Sequence, residues 1–412
     1  MKSNTINIQP IRKLIAGSCL FIFIMMMLFS SCSTTRNLPE GEILYTGIRN
    51  IEIQHKDSTK AGQTALEEIE AALAYPPNNA LLGSSSIRTP FPFGLWIYNA
   101  FVKKEGKLGK WIFNNLAAKP VLISTVNPDV RVKIAQNLLR EYGYFNGTTA
   151  YITIPNEKDS LKAKVSYLID MQNPYRIDTV LYPPFAPKAD SIIQKAIPDR
   201  VIRENDNFSV IKLEAERQRL ASLMRDKGYY YFRPDFITYQ ADTLNYPGKV
   251  GLKVISKPGL PSSALRPWHV GDISFHLNGY DGEVPTDSLQ YRELMIYYEG
   301  KLRVRPRVLY NRLFFKTGDL YAQSVQLKTQ AAINRLAIFR YTDMQYMPID
   351  TTSSCDTLNL RINAFYDLPL DGEMEVNVTS KSNNQAGPGA VLSVTKRNFF
   401  GGGEIAGVSL RG

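Results

Sequence analysis

PGAVLSVTKRNFFGGGEIAGVSLRG, residues 388–412, decides the fold. Ala390, Leu392 and Val394 stand two apart, and Ala406, Val408 and Leu410 repeat the pattern beyond a glycine-rich turn. A period of two marks strands whose successive side chains point to opposite faces. Upstream, DGEMEVNVTS sets Met374, Val376 and Val378 against Glu373, Glu375, Asn377 and Thr379, and KSNNQAG reads as the turn between. Strands of about ten residues, apolar on one face and polar on the other, are how a transmembrane barrel is written. The same alternation suits a half-buried soluble sheet equally well.

Outward from these strands lies a repeat. Three segments share the order strand, helix, helix, strand, strand. In the first, Asn127 and Pro128 open a helix with Val130, Ile134, Leu138 and Leu139 at helical spacing, which runs through REYGYF into the strands YITI and LKAKVSYLI. In the second, YRIDTVLY precedes a short helix around SIIQKAI. A longer helix from Ser209 follows, with Ile211, Leu213, Leu220 and Leu223 as its expected buried side, then RDKGYY and the strands PDFITYQ and GKVGLKVIS. The third has the strand VGDISFHLNG, a helix around RVLYNRLFF, and a helix carrying Val325, Leu327, Ala331, Ile333 and Leu336. Strands near YTDMQYMPI and TLNLRINAF complete it. Gly143–Tyr144 and Gly228–Tyr229 lie 85 residues apart, a domain-sized period. Each glycine suits the left-handed position after a helix, with the aromatic covering the helix end. The third copy has Ala337 there and Phe339 as its aromatic, which predicts a less tightly turned end.

Tandem β-α-α-β-β units ahead of barrel-like strands resemble the BamA/TamA-type outer-membrane assembly factors, whose periplasmic modules are called POTRA domains. The family's module pattern matches Gly318, Asp319, Tyr321, Thr329, Leu336 and Phe339. RNFFGGGE resembles the family's turn after the second barrel strand, at Arg397, Asn398, Phe399, Phe400, Gly401, Gly403 and Glu404. The likeness implies an α+β chain of tandem POTRA modules followed by the first strands of a 16-stranded outer-membrane β-barrel. Expected bounds are a signal at 1–31, module 1 at 32–172, module 2 at 173–258, module 3 at 268–367 and barrel strands at 371–412. Three strands cannot close a barrel, so a fragment of a longer protein is expected.

The first 31 residues carry Lys2, Arg12 and Lys13, no acidic residue, and the apolar run LIAGSCLFIFIMMMLFSSC. This is the pattern of a secretory signal, with a retained anchor helix as the alternative. Small Ser30 and Ser31 before Cys32, and polar residues after it, resemble a bacterial lipoprotein signal cut before an acylated cysteine; Phe29 departs from the usual Leu. With that signal the likeness is closest to the TamA-like lipoprotein branch of Bacteroidetes. Cys19 would leave with the signal, and Cys355 would then be alone, with a local role near a strand start.

Module 1 holds a long insertion at about 84–120, with Phe91, Phe93, Trp96, Tyr98, Phe101, Trp111 and Phe113 interleaved with Lys103, Lys104, Lys107 and Lys110. It either forms a small core of its own or meets a membrane or a partner.

Hydrophobic content of 44% and charged content of 21% describe folded protein. The formal charge of +11, three of it in the signal, is not clustered as nucleic-acid binding requires. His55, His269 and His276 are the only histidines. The last two lie seven apart in a strand, which predicts opposite faces and no ligand pair. KEGKLGK lacks the spacing and the Ser/Thr of a phosphate loop. No enzyme chemistry, metal or cofactor is expected.

The resemblance implies nascent outer-membrane β-barrel or autotransporter-type substrates, outer-membrane lipid and an inner-membrane TamB-like partner. It places the modules in the periplasm, anchored at Cys32, and implies insertion of substrates into the membrane. The alternatives are a lipid-anchored scaffold that inserts nothing and, more weakly, a surface antigen.

Overall fold

The computed structural model describes residues 34–411 apart from 82, 85, 86, 186, 245, 246, 280–284, 351, 353 and 381–385. Cys32 and the expected signal therefore lie outside the described residues, as does the KSNNQ part of the expected turn. Two compact units are present. One runs to Asp178 and includes Asn205–Ile211 and Thr243–Val250; the other holds Thr179–Glu204, Lys212–Asp242 and the chain from Gly251.

The first sheet comprises β1 (Leu44–Gln54), β2 (Thr148–Asn156) and β3 (Asp159–Asp170), in the order β1-β3-β2. β1 pairs parallel with β3, and a parallel pair needs a long crossover. Helices supply it: α1 (Lys60–Leu73), α2 (Phe93–Phe101), α3 (Lys107–Leu116), α4 (Ile123–Val126) and α5 (Pro128–Glu141). Thr59 caps α1 by accepting the Gly62 N–H at 3.1 Å. Asn127 caps α5, and Pro128 takes the first helical position, where no backbone donor is needed. Leu66, Ile69 and Leu73 of α1 and Ala135 and Leu139 of α5 close over Val165, Tyr167 and Ile169 of β3. Of the apolar positions on α5, Val130 and Ile134 are exposed, and the helix turns Ala135 and Leu139 inward where α1 packs beside it.

The second sheet has the order β4-β6-β5, from β4 (Arg176–Leu181), β5 (Ile237–Asp242) and β6 (Lys249–Ser256). Its helices are α6 (Pro187–Lys195) and α7 (Val210–Asp226). α7 buries Leu213, Glu216, Leu220, Ala221 and Met224, whereas Ile211 is exposed and Leu223 half-buried. An apolar-only reading passes over Glu216, a carboxylate on the buried face. Glu216 accepts from the Tyr182 hydroxyl at 2.8 Å, the Val201 N–H at 2.9 Å and Arg219 Nε and Nη2 at 2.9 and 2.6 Å. A fully buried charge is tolerated only when paired and hydrogen-bonded in this way.

The third sheet departs from the expected plan. Its strands are β7 (His269–Asn278), β8 (Asp287–Tyr291), β9 (Leu294–Tyr298), β10 (Phe339–Pro348) and β11 (Thr357–Tyr366), in the order β10-β11-β7-β9-β8. The β8–β9 hairpin, turned at Arg292 and Glu293, was not anticipated and lies along the outer edge of β7. Four of the five β8 residues are exposed, so no apolar alternation announces that strand. α8 (Pro306–Tyr310) and α9 (Gln323–Asn334) cover the sheet. α9 buries Thr329, Ala332 and Ile333, whereas Leu327 and Ala331 are exposed.

The last sheet is β12 (Leu370–Ser380), β13 (Ala386–Arg397) and β14 (Ile405–Arg411), antiparallel throughout. Met374, Leu392 and Leu410 form one cross-strand row, and Gly372, Val394 and Val408 the next. On the reverse face Glu373, Ser393 and Ser409 align, and the two serine hydroxyls are 3.1 Å apart. Register therefore joins the three alternations into one apolar face and one polar face. No described helix is long and apolar enough to cross a membrane. The fold is α+β.

Candidate functional site

The turn between β13 and β14 is built from its own polar atoms. Asn398, at φ 56°, donates its N–H to the Glu404 carbonyl at 2.6 Å and accepts the Gly403 N–H on Oδ1 at 3.1 Å. Glu404 Oε2 accepts the N–H groups of Phe400 and Gly402 at 3.2 and 3.1 Å. The Glu404 N–H, then those of Phe400 and Gly402, and the charge of Arg305 hold this carboxyl below its ordinary range, against a smaller burial effect.

The turn is also fastened to the third module. Asn398 Nδ2 donates to the Arg303 carbonyl at 2.7 Å, and the Arg305 N–H donates to the Gly401 carbonyl at 2.9 Å. Gly403 has φ 84°, and a Cβ there would stand 3.1 Å from the Leu336 carbonyl oxygen, so only glycine fits. Arg397 pairs with Asp367, in the link between β11 and β12, and with Asp371 at 3.3 Å. Phe399 and Phe400 are exposed, with rings 4.9 Å apart. Gly402 was passed over in the sequence, yet a Cβ there would meet the Glu404 carboxylate at 2.3 Å. The triple-glycine run was its signal. Nothing in the sequence links Arg303, Arg305, Asp367 or Asp371 to the turn.

At the end of α5 the Tyr144 N–H reaches back to the Leu139 carbonyl at 2.8 Å and the Gly143 N–H to Arg140 at 3.0 Å. This is a Schellman closure with Gly143 at φ 90°. Tyr229 closes α7 likewise onto Met224 at 3.1 Å, with Gly228 at φ 96°. Both tyrosines are buried, and the Tyr144 hydroxyl donates to Asp57 at 2.7 Å, just ahead of α1. In the third copy Ala337 is also left-handed, at φ 49°, but it stands two residues past the cap Arg335, and its N–H meets the Asn334 carbonyl at a longer 3.4 Å.

The third module gathers its motif residues. Gly318 has φ 88°, and Asp319 accepts the Lys316 N–H at 2.7 Å. Tyr321 is fully buried and donates to Gln326 at 2.6 Å. Thr329, Leu336 and Phe339 are buried too. Tyr230, one residue past the second junction, packs edge-on against Tyr321 and tilted on Tyr346, with centroids 4.9 and 5.1 Å apart. Ser324 donates its N–H to Asp226 at 2.7 Å. The end of α7 and the third module are therefore joined by an aromatic cluster and a hydrogen bond.

Residues 121–123 bond the start of β1, 205–207 bond the start of β4, and β9 pairs with β7. β2, β5 and β10 stand at the opposite margin of their sheets.

His269 and His276 share a face, contrary to expectation. β7 carries one extra residue between Val270 and Ile273, both buried, and this bulge reverses the parity. His276 stacks on Tyr297 at 4.5 Å, and burial, with Arg361 beside it, lowers its pKa. No group of three or more metal-ligating side chains exists among the described residues. Cys355 is buried just before β11, its thiol donating to the Thr357 carbonyl at 3.5 Å.

No family model matches the sequence, and no curated protein matches it. Solved structures are similar at low identity. BamA from Haemophilus ducreyi lacking POTRA domains 1-3 gives a TM-score of 0.40 at 13% identity, over 58% of this chain and 37% of that one. Haemophilus influenzae BamA POTRA3-5 gives 0.38 at 9% identity, over 80% and 99%. CdiB from Acinetobacter baumannii gives 0.28 at 12% identity, over 57% and 38%. The chain thus spans little more than a third of the Haemophilus ducreyi protein. The functional reading rests on this chain's own residues and their geometry.

Proposed function

We propose that this chain is the module array and first barrel strands of an outer-membrane assembly factor of the TamA-like lipoprotein branch. It is anchored at Cys32, with its modules in the periplasm. One observation carries the reading: the exposed apolar face of β12, β13 and β14 has a polar reverse, and the turn between β13 and β14 is bonded to the third module. An apolar face of this width suits lipid rather than water. The Asn398, Gly401 and Gly403 contacts supply a rigid link from module to barrel strand.

Substrates are unfolded β-barrel or autotransporter-type chains, held by strand addition to sheet edges. β2, β5 and β10 are the edges on offer at one margin of each sheet, with β8 at the other margin of the third. The work is binding and templating, with no enzymatic step, and a TamB-like inner-membrane partner would couple to the array.

Photocrosslinking in cells tests the reading. A crosslinker at Tyr341, exposed on β10, captures nascent barrel proteins, whereas one at Met295, on interior β9, does not. Depletion of the protein lowers barrel-protein levels. Capture without any such fall replaces insertion with a scaffold role; no capture from β2, β5 or β10 refutes substrate binding at these edges.

A further inference from the structure

The insertion in the first module folds as a helical hairpin. Its base is closed where Gly94, at the start of α2, touches Ala118: a Cβ on Gly94 would lie 2.6 Å from the Ala118 methyl, and the Ala118 N–H donates to the Gly94 carbonyl at 2.9 Å. Tyr98 and Phe113 pack between the helices with centroids 5.6 Å apart. Little else is hidden. Leu95 is buried, but Leu108, Trp111 and Leu116 of α3 are 73, 60 and 54% exposed, and Phe91 and Phe93 beside α2 are also exposed. Phe91, Phe93 and Trp96 cluster with centroids 5.4 to 6.1 Å apart, so the hairpin has a small aromatic core of its own and still leaves one helix face open. Between residues 84 and 120 stand six basic residues and one acidic residue, Glu105.

The chain's start is tied to this hairpin. Asn37 Nδ2 donates to the Asn99 carbonyl in α2 at 3.0 Å, and Asn99 Nδ2 donates to the Thr34 carbonyl at 3.2 Å. Cys32 stands two residues before Thr34. Two residues reach at most about 7 Å. Acyl chains on Cys32 would thus leave the protein beside α2, which brings the hairpin to the same bilayer.

The geometry points to a phospholipid surface as the occupant of this hairpin: Leu108, Trp111 and Leu116 enter the interfacial layer while Lys103, Lys107 and Lys110 meet lipid phosphates. The inference rests on the lipid-anchored reading of Cys32 and adds a second attachment to it. Exposed Trp among apolar residues, flanked by lysines, is the side-chain set that settles at the headgroup boundary. An acyl anchor alone leaves a protein free to swivel, whereas anchor and hairpin together fix which face of the module meets the membrane.

The test uses the full chain reconstituted into phosphatidylethanolamine–phosphatidylglycerol vesicles carrying shallow brominated lipid, with tryptophan fluorescence as readout. Trp268 is buried, and half-buried Trp96 emits as the same background in every variant. The quenchable emission falls in Trp111→Phe, an exposed conservative change, by the share that Trp111 contributes. Leu108→Glu lowers quenching of Trp111 with the fluorophore retained. Mass spectrometry of the same protein reads acylation of Cys32 independently. Equal quenching in wild type and Trp111→Phe with Cys32 acylated overturns the hairpin's lipid contact and leaves the anchor standing. A Trp111-dependent signal with Cys32 unmodified supports the contact and removes the anchor. Capture of a protein by a crosslinker at position 111, with no quenching, assigns the surface to a protein partner and overturns the inference.

Discussion

Ala337 holds a left-handed φ of 49°, and left-handed backbone costs an L-residue about 1 kcal/mol or more. Ala337→Gly is expected to stabilise the third module by about 1 kcal/mol in urea unfolding. Gly143→Ala acts the other way and harder. Its Cβ would lie 2.6 Å from the Phe208 carbonyl oxygen, which cannot yield as a side chain can, so a loss of about 2–4 kcal/mol is expected. Glu404 is the titrating residue of the turn. Its folded pKa is lowered from the ordinary 4.5, so its contribution is fully present above 4.5 and is lost as pH falls through the lower folded value. Protection of the Phe400 and Gly402 amides, taken relative to their intrinsic exchange rates, should fall over that acid range. In Glu404→Gln that protection should no longer depend on pH.

At the scale of elements, β12, β13 and β14 carry the membrane argument, and their two faces should answer oppositely to charge. Leu392→Arg, in the centre of the apolar row, is expected to cost about 2–4 kcal/mol of insertion into lipid. Ser393→Arg, its neighbour on the polar face, should be tolerated. Refolding yields of the two variants in phospholipid vesicles, compared with wild type, check this. Equal losses would mean that the apolar face does not meet lipid. The β8–β9 hairpin belongs to this scale as well. By pairing along β7 it removes one sheet edge from the third module and leaves β10 and β8 as its margins.

For the whole molecule, the consequence lies in the coupling of residues 303–305 to the turn between β13 and β14. Asn398→Ala removes the bond to the Arg303 carbonyl and the one from the Gly403 N–H. It is expected to weaken the docked turn by about 1–3 kcal/mol. Capture of nascent chains at β10 should persist while barrel-protein assembly falls, read as crosslink yield against outer-membrane protein levels. A parallel fall in both would place the defect in module folding instead.

Most strands, the helices that open at Asn127 and Ser209, and the Gly–Tyr junctions were legible in the sequence because each is written in local chemistry: a period of two, a period near 3.6, or a glycine where the backbone must turn left. The apolar rows of β12, β13 and β14 were legible for the same reason. Tertiary structure decided the rest. Which face of α5, α7 or α9 lies inside depends on the neighbouring helix and sheet, so Val130, Ile211 and Leu327 stayed outside while Glu216 went in. The bulge that brings His269 and His276 to one face depends on the register of β7 against β11. Arg303 and Asn398 stand 95 residues apart, and only the folded chain brings one's carbonyl to the other's amide. Local periodicity specifies what an element is; the packing of distant elements decides what each residue touches.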